Sequence, residues 1–145
     1  MLNLIKPPIT DQQVSDLGLS AKIVNITSNF DFLTVGATDI YTVPAGKTFL
    51  VDGMYHEHLV ASGSITSYAF EVQDKVVTAN KYLPLGTISS VGVGRLISIN
   101  ASSTTPGSRY VAQSGDTLQL RISASTHTSG VLTGKVYLRG YLVNN

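Results

Sequence analysis

From Leu19 onward, apolar and polar residues alternate in short runs divided by turn residues. This period of two predicts extended strands with one face in a core and the other in water. The clearest run is Thr117 to Ala124, where Leu118, Leu120, Ile122 and Ala124 share one face and Gln119, Arg121 and Ser123 the other. Thr66 to Val72 repeats the pattern, with Tyr68, Phe70 and Val72 set against Ser67, Ala69 and Glu71. In Val131 to Val143, Leu132, Val136, Leu138 and Leu142 line one side. Gly134 and Gly140 are interleaved where another segment must approach closely or the strand must bend. Between Lys47 and Val60 the apolar set changes parity, from Phe49 and Val51 to Leu50 and Met54. A bulge near Gly53, or burial on both faces, accounts for the change. Leu19 to Thr27, Thr38 to Val43, Val91 to Asn100 and Arg109 to Ala112 complete a set of about eight strands.

The connections carry explicit turn chemistry at Pro44-Ala45-Gly46, Ser62-Gly63, Pro106-Gly107, Ser114-Gly115-Asp116 and Ser129-Gly130. Short strands without a helical period predict an all-β antiparallel β-sandwich in jelly-roll-like order, spanning residues 19–145. Residues 1–18 break the rhythm and read as an extended N-terminal arm. Pro7 and Pro8 favour an extended path, Thr10 and Gln13 cap a turn of helix through about Asp16, and Gly18 ends it. Leu2, Leu4, Ile5 and Ile9 are apolar residues with no strand partner of their own. With Pro7 and Pro8 they are expected to dock on a neighbour.

Composition narrows the function. Of 145 residues only 13% are charged, about half the usual share, so the exterior is weakly hydrated and easily covered. The chain has no cysteine, which removes disulfides, thiolate nucleophiles and Cys-ligated metals from consideration. Net charge is +1 and the ten Lys and Arg are scattered singly, so nucleic acid is not an expected partner. No run approaches the roughly 20 apolar residues of a membrane helix. The apolar start is broken by Lys6, Pro7 and Pro8 before it can serve as a secretion signal, so synthesis in the cytoplasm and no membrane partner are expected.

Candidate chemistry is sparse. Ala45-Gly46-Lys47-Thr48 ends like a phosphate-binding loop, but the motif needs glycine where Tyr41 stands. Gly92-Val93-Gly94 lacks the third glycine of a dinucleotide site. His56 and His58 share a strand face, with Glu57 turned away. Two histidines fall short of the three ligands a metal site needs, so they read as a polar outer face or subunit contact and no metal is assigned. Asp52, Glu57, Glu71 and Asp74 are the only carboxylates placed for paired acid-base work, and no nucleophile elbow is present. The expectation is a protein that is not an enzyme and needs no cofactor. Tyr137, Arg139 and Tyr141 alternate, with Lys135, opposite the aliphatic side of the last strand. Tyrosine and arginine combine contact area with a polar handle, so these are the candidate partner-binding residues of the domain itself.

The stretch Tyr41-Thr42-Val43-Pro44-Ala45-Gly46-Lys47-Thr48-Phe49-Leu50-Val51 resembles the opening strand pair of small jelly-roll domains in tailed-phage structural proteins. Gln113-Ser114-Gly115-Asp116-Thr117-Leu118 is similar to the companion turn, and Gly134 to Val143 to the closing strand. The resemblance spans roughly Thr38 to Val143 and implies a virion role without catalytic residues. It implies a capsid decoration or cement protein bound to the major capsid protein on the head surface, self-associated as a trimer or other symmetric oligomer. A tail-tip or fibre module that binds host cell-surface carbohydrate is the alternative. The loops at Thr78 to Ser90 and Asn100 to Arg109 offer only Tyr82 for stacking on sugar.

Overall fold

The computed structural model describes residues 19–79, 81–89, 91–94, 96–100 and 111–145. The expected arm, its helical turn at Thr10 to Asp16 and the Pro106-Gly107 turn lie outside the described residues. Within them there is no helix, and the chain is antiparallel β throughout. The strands are β1 (Leu19–Asp31), β2 (Gly36–Thr42), β3 (Lys47–Asp74), β4 (Lys81–Ile88), β5 (Leu96–Asn100), β6 (Val111–Ala112) and β7 (Thr117–Asn144).

Two corrections to the sequence reading define the architecture. Ser62-Gly63 and Ser129-Gly130 are not turns. Gly63 pairs with Gly130 inside one continuous ladder, so the four runs expected around them fuse into two 28-residue strands, β3 and β7. Ser-Gly is turn chemistry locally, but here the two glycines meet across the ladder with φ of 82° and 134°, conformations closed to L side chains without strain. Their backbones also touch closely: a Cβ on Gly63 would stand 2.6 Å from the Gly130 Cα. The second correction is β4, where a loop was expected. Pro84 and Gly86 interrupt the alternation, but among the described residues β4 pairs only with β3 and its register shifts around Pro84, an edge irregularity that tolerates proline.

The β3–β7 ribbon does not run straight. Fourteen residues of extended chain span about 46 Å at roughly 3.3 Å each. The rings of His56 and Phe70 nevertheless lie 4.4 Å apart between centroids. The ribbon therefore folds back on itself around Gly63 and Gly130, and its two halves face each other. On the first half the pairing runs from β1 to the last third of β7, then to the first half of β3, then to β5 and β6. On the second it runs from β2 to the start of β7, then to the end of β3, then to β4. Register slips at Val51/Gly53, which is the expected bulge, and again at His58/Val60.

The core fills the space between the halves. Phe49, Met54, Leu132, Val136 and Leu138 enter from the first half, and Tyr68, Phe70, Leu118, Leu120 and Ile122 from the second. Each such side chain removed from water contributes about 1.5–3 kcal/mol. The expected core face of Thr117 to Ala124 holds as far as Ile122, while Ala124, beyond it toward the fold-back, is exposed. Gly134 and Gly140 admit the β3 backbone at close range, as their spacing predicts.

The end of β3 is buried on both faces. Glu71, 6% exposed, accepts from Lys81 Nζ at 2.9 Å and Arg121 Nη1 at 2.8 Å. Burial opposes its charge, but these two cations outweigh that and hold the carboxyl below its ordinary range. Nearby, the buried Tyr82 hydroxyl lies 3.0 Å from Asp74 Oδ2 and 3.2 Å from Asp116 Oδ2, tying β4 to two turns. Burial first, and then the two carboxylates, push the Tyr82 phenol well above its usual range. Tyr82→Phe is expected to remove the donor from both carboxylates and to cost about 1–3 kcal/mol. Urea unfolding at neutral pH measures it, and a loss below the assay error would discard this tie.

The turns at 44–46 and 114–116 form as expected and dock on each other. Val43 bonds the facing turn twice, donating from N to Asp116 O at 2.9 Å and accepting at O from Gly115 N at 3.0 Å. Gly46 N reaches Ser114 Oγ at 3.1 Å.

Candidate functional site

Alternation along β7 sends Tyr137, Arg139 and Tyr141 to the outer face of the first half, while Val136, Leu138 and Gly140 turn inward. Register then sets their neighbours: Tyr137 lies opposite Tyr55, Tyr141 opposite Leu50, and Lys135 opposite Glu57. The bulge at Val51/Gly53 leaves Asp52 as an extra residue, and its Oδ2 lies 2.6 Å from Arg139 Nε. Arg139 also lies over the Tyr55 ring, 5.0 Å from its centroid, and donates from Nη1 to the Tyr55 hydroxyl. A partly exposed ion pair of this kind contributes modestly to stability, about 1 kcal/mol or less. Together with the Tyr55 contacts, it fixes the Arg139 guanidinium against the Tyr55 ring.

The three domain residues singled out from sequence are thus brought together. Tyr55, Leu50 and Asp52 join them and were missed, because cross-strand register is invisible to a single run of residues. Tyr55, Tyr137 and Tyr141 are half-buried, with Val60 and Val131 farther along the same ladder at 49% and 48% exposure. Arg139 with Asp52, and Lys135 with Glu57, balance the charge of this face. The arm candidates Leu2, Leu4, Ile5, Pro7, Pro8 and Ile9 lie outside the described residues.

His56 and His58 are a correction. They do share a face, with Glu57 turned away, but it is the inner face, and both are fully buried. Their parity is that of Met54, a core residue, and that was the available signal. The buried Tyr68 hydroxyl sits 3.1 Å from His56 Nδ1 and 2.8 Å from His58 Nε2. Among the described residues no three metal-ligating side chains gather.

The four carboxylates considered for acid-base work are dispersed. Asp52 and Glu57 face outward on the first half, Glu71 is clamped by two cations on the second, and Asp74 caps the Val76 and Val77 amides at 2.7 and 2.8 Å. Tyr82, the one aromatic offered for sugar stacking, is 0% exposed on β4, so it cannot stack on a ligand. An open cleft of about 460 Å³ lies between β1 and β2, lined by Asn29, Asp31, Thr34, Thr38 and Asp39 over Phe30 and Ile122. The Asp31 carboxylate is turned back on Leu33 N and the Thr34 hydroxyl. Burial opposes its ionisation, but these bonds prevail and hold its pKa below the usual value.

No protein-family model matches the chain, and no curated protein matches it.

Proposed function

We propose that this chain is a non-catalytic structural protein that works by packing against protein neighbours, and specifically a capsid decoration or cement protein on the head of a tailed phage. The observation that carries the proposal is the Tyr55–Tyr137–Arg139–Tyr141 face. Tyrosine and arginine concentrate binding energy where they are held rigid and can be desolvated. A face whose charges are already paired buries no lone charge when it is covered, although desolvating the pairs still opposes binding. The two pairing orders, β1-β7-β3-β5 and β2-β7-β3-β4, support the jelly-roll reading on which the proposed kinship with phage structural domains rests. Repetition of weak contacts by capsid symmetry, with self-association as a trimer, supplies avidity without a deep pocket.

In this reading the major capsid protein is the partner and the apolar arm residues 2–9 lie along neighbouring subunits. The test is co-sedimentation with undecorated capsids. The Tyr137→Ala/Tyr141→Ala pair, folded by circular dichroism, is expected to lose attachment by about thirtyfold or more, on the order of 2 kcal/mol at a hot spot. Undiminished attachment would remove this face from the proposal, and imaging that finds copies only at a tail would remove the head role.

The polar cleft between β1 and β2 favours the second reading, a tail or fibre module for host carbohydrate, since hydroxyl and carboxamide groups there match sugar hydroxyls. Binding on a glycan array that Asp39→Ala abolishes would move the function to that cleft.

A further inference from the structure

We propose that the His56–Tyr68–His58 bridge is an acid-released latch, in which protonation of His56 loosens the junction between the two halves while the β3–β7 ladder stays paired. This inference does not depend on the assembly role. His56 and His58 stand on the first half of β3 and Tyr68 on the second, so the shared phenol crosses the junction where the ribbon folds back. A phenol has one proton, so it can donate to only one ring, and that ring must present an unprotonated nitrogen, while a ring that donates N–H to the phenol oxygen keeps its contact in either charge state. A second proton on His56 would stand either on Nδ1, against the phenol, or on Nε2. His56 Nε2 is buried and finds no hydrogen-bond partner among the described residues.

Among the described residues, the surroundings of His56 are aromatic and aliphatic. The second half of β3 contributes Tyr68 and Phe70, and the β1–β2 connection contributes Phe32, with ring centroids 4.4–6.0 Å from His56. Across the ladder stand Val136 of β7 and Ile97 of β5. Among the described groups facing His56, only Tyr68 and His58 are titratable. Asp31 turns its carboxylate to Leu33 and Thr34, Glu71 lies on the other face of its strand, and Glu57 faces outward opposite Lys135. Burial first, and then the neighbouring His58, lower the His56 pKa from 6.5 to about 3. The unfolded chain, with the higher pKa, takes the proton first. Stability from this residue is complete above about pH 6.5 and is lost as pH falls from there toward 3.

The lowered carboxylates Asp31, Asp39 and Glu71 add their own acid dependence only below about pH 4.5, so pH 6.5 to 5 isolates the histidines. Urea unfolding across that window is expected to show the folded-to-unfolded ratio falling about sixfold more per pH unit in the native chain than in His56→Phe. Equal slopes would overturn the latch. Should the variant fail to fold, imidazole ¹⁵N shifts of the native chain decide. A His56 ring still neutral at pH 5 in the folded state supports it, and titration near 6.5 sinks it. Amide exchange, corrected for its intrinsic pH dependence, separates a latch from global unfolding. On acidification, exchange at Phe32, whose amide bonds Leu132 O outside the strand ladders, should rise before that at His56 and Tyr68 in the ladder and at Val43, and a uniform rise overturns the proposal.

Discussion

Gly134→Ala is expected to leave no stable folded protein. Gly134 sits on β7 opposite His58, and a Cβ there would press into the Glu57 carbonyl group, 2.8 Å from its carbon and 3.1 Å from the His58 Cα. Both obstacles are backbone, so no side-chain rotation relieves them. The two central strands would have to separate, breaking ladder hydrogen bonds on each side of the site. The expected cost is on the order of 4 kcal/mol or more, the range reserved for substitutions that break a packed structure. That is comparable with the whole stability of many domains of this size. Gly92→Ala serves as the control, since a Cβ there meets nothing within 4 Å, and it should change stability by less than about 0.5 kcal/mol. Thermal unfolding followed by circular dichroism distinguishes them. A Gly134→Ala protein that melts near the native temperature would refute the close approach of β3 and β7.

The second large effect is expected from Phe32→Ala, at about 3–5 kcal/mol. Phe32 is 0% exposed and touches four rings, with centroids 5.2–5.3 Å from those of Phe30, His56, His58 and Tyr68. It lies outside the strands, yet its backbone amide is fixed to Leu132 O at 3.0 Å, so the void could close only by moving β7. Removing the ring would also weaken the barrier that keeps His56 from water. The variant should therefore show a shallower loss of stability between pH 6.5 and 5, in addition to a lower midpoint in urea at pH 7.5. A loss under about 1 kcal/mol, with the native pH slope retained, would mean that Phe32 is not the keystone of this cluster.

Much of the architecture was legible because a strand has a period of two. The inward sets Leu118-Leu120-Ile122 and Leu132-Val136-Leu138, the parity change at Gly53 and the turns at 44–46 and 114–116 all follow from neighbouring residues alone. The partner candidates Tyr137, Arg139 and Tyr141 were legible for the same reason, since each has the opposite parity to a core residue beside it. What escaped depended on a second segment. Ser62-Gly63 reads as a turn until Gly130 is placed across from it. Lys81–Ile88 reads as a loop until β3 supplies the ladder that Pro84 and Gly86 seem to forbid.

The histidines mark the boundary between the two kinds of information. Alternation alone determined that His56 and His58 share a side and that Glu57 does not, because successive side chains of any extended chain point oppositely. Only the tertiary structure decided that their side is the inside, and that a tyrosine ten and twelve residues onward completes the bridge. Local spacing constrains direction, whereas burial and hydrogen bonding depend on which distant backbone comes within reach when the ribbon folds.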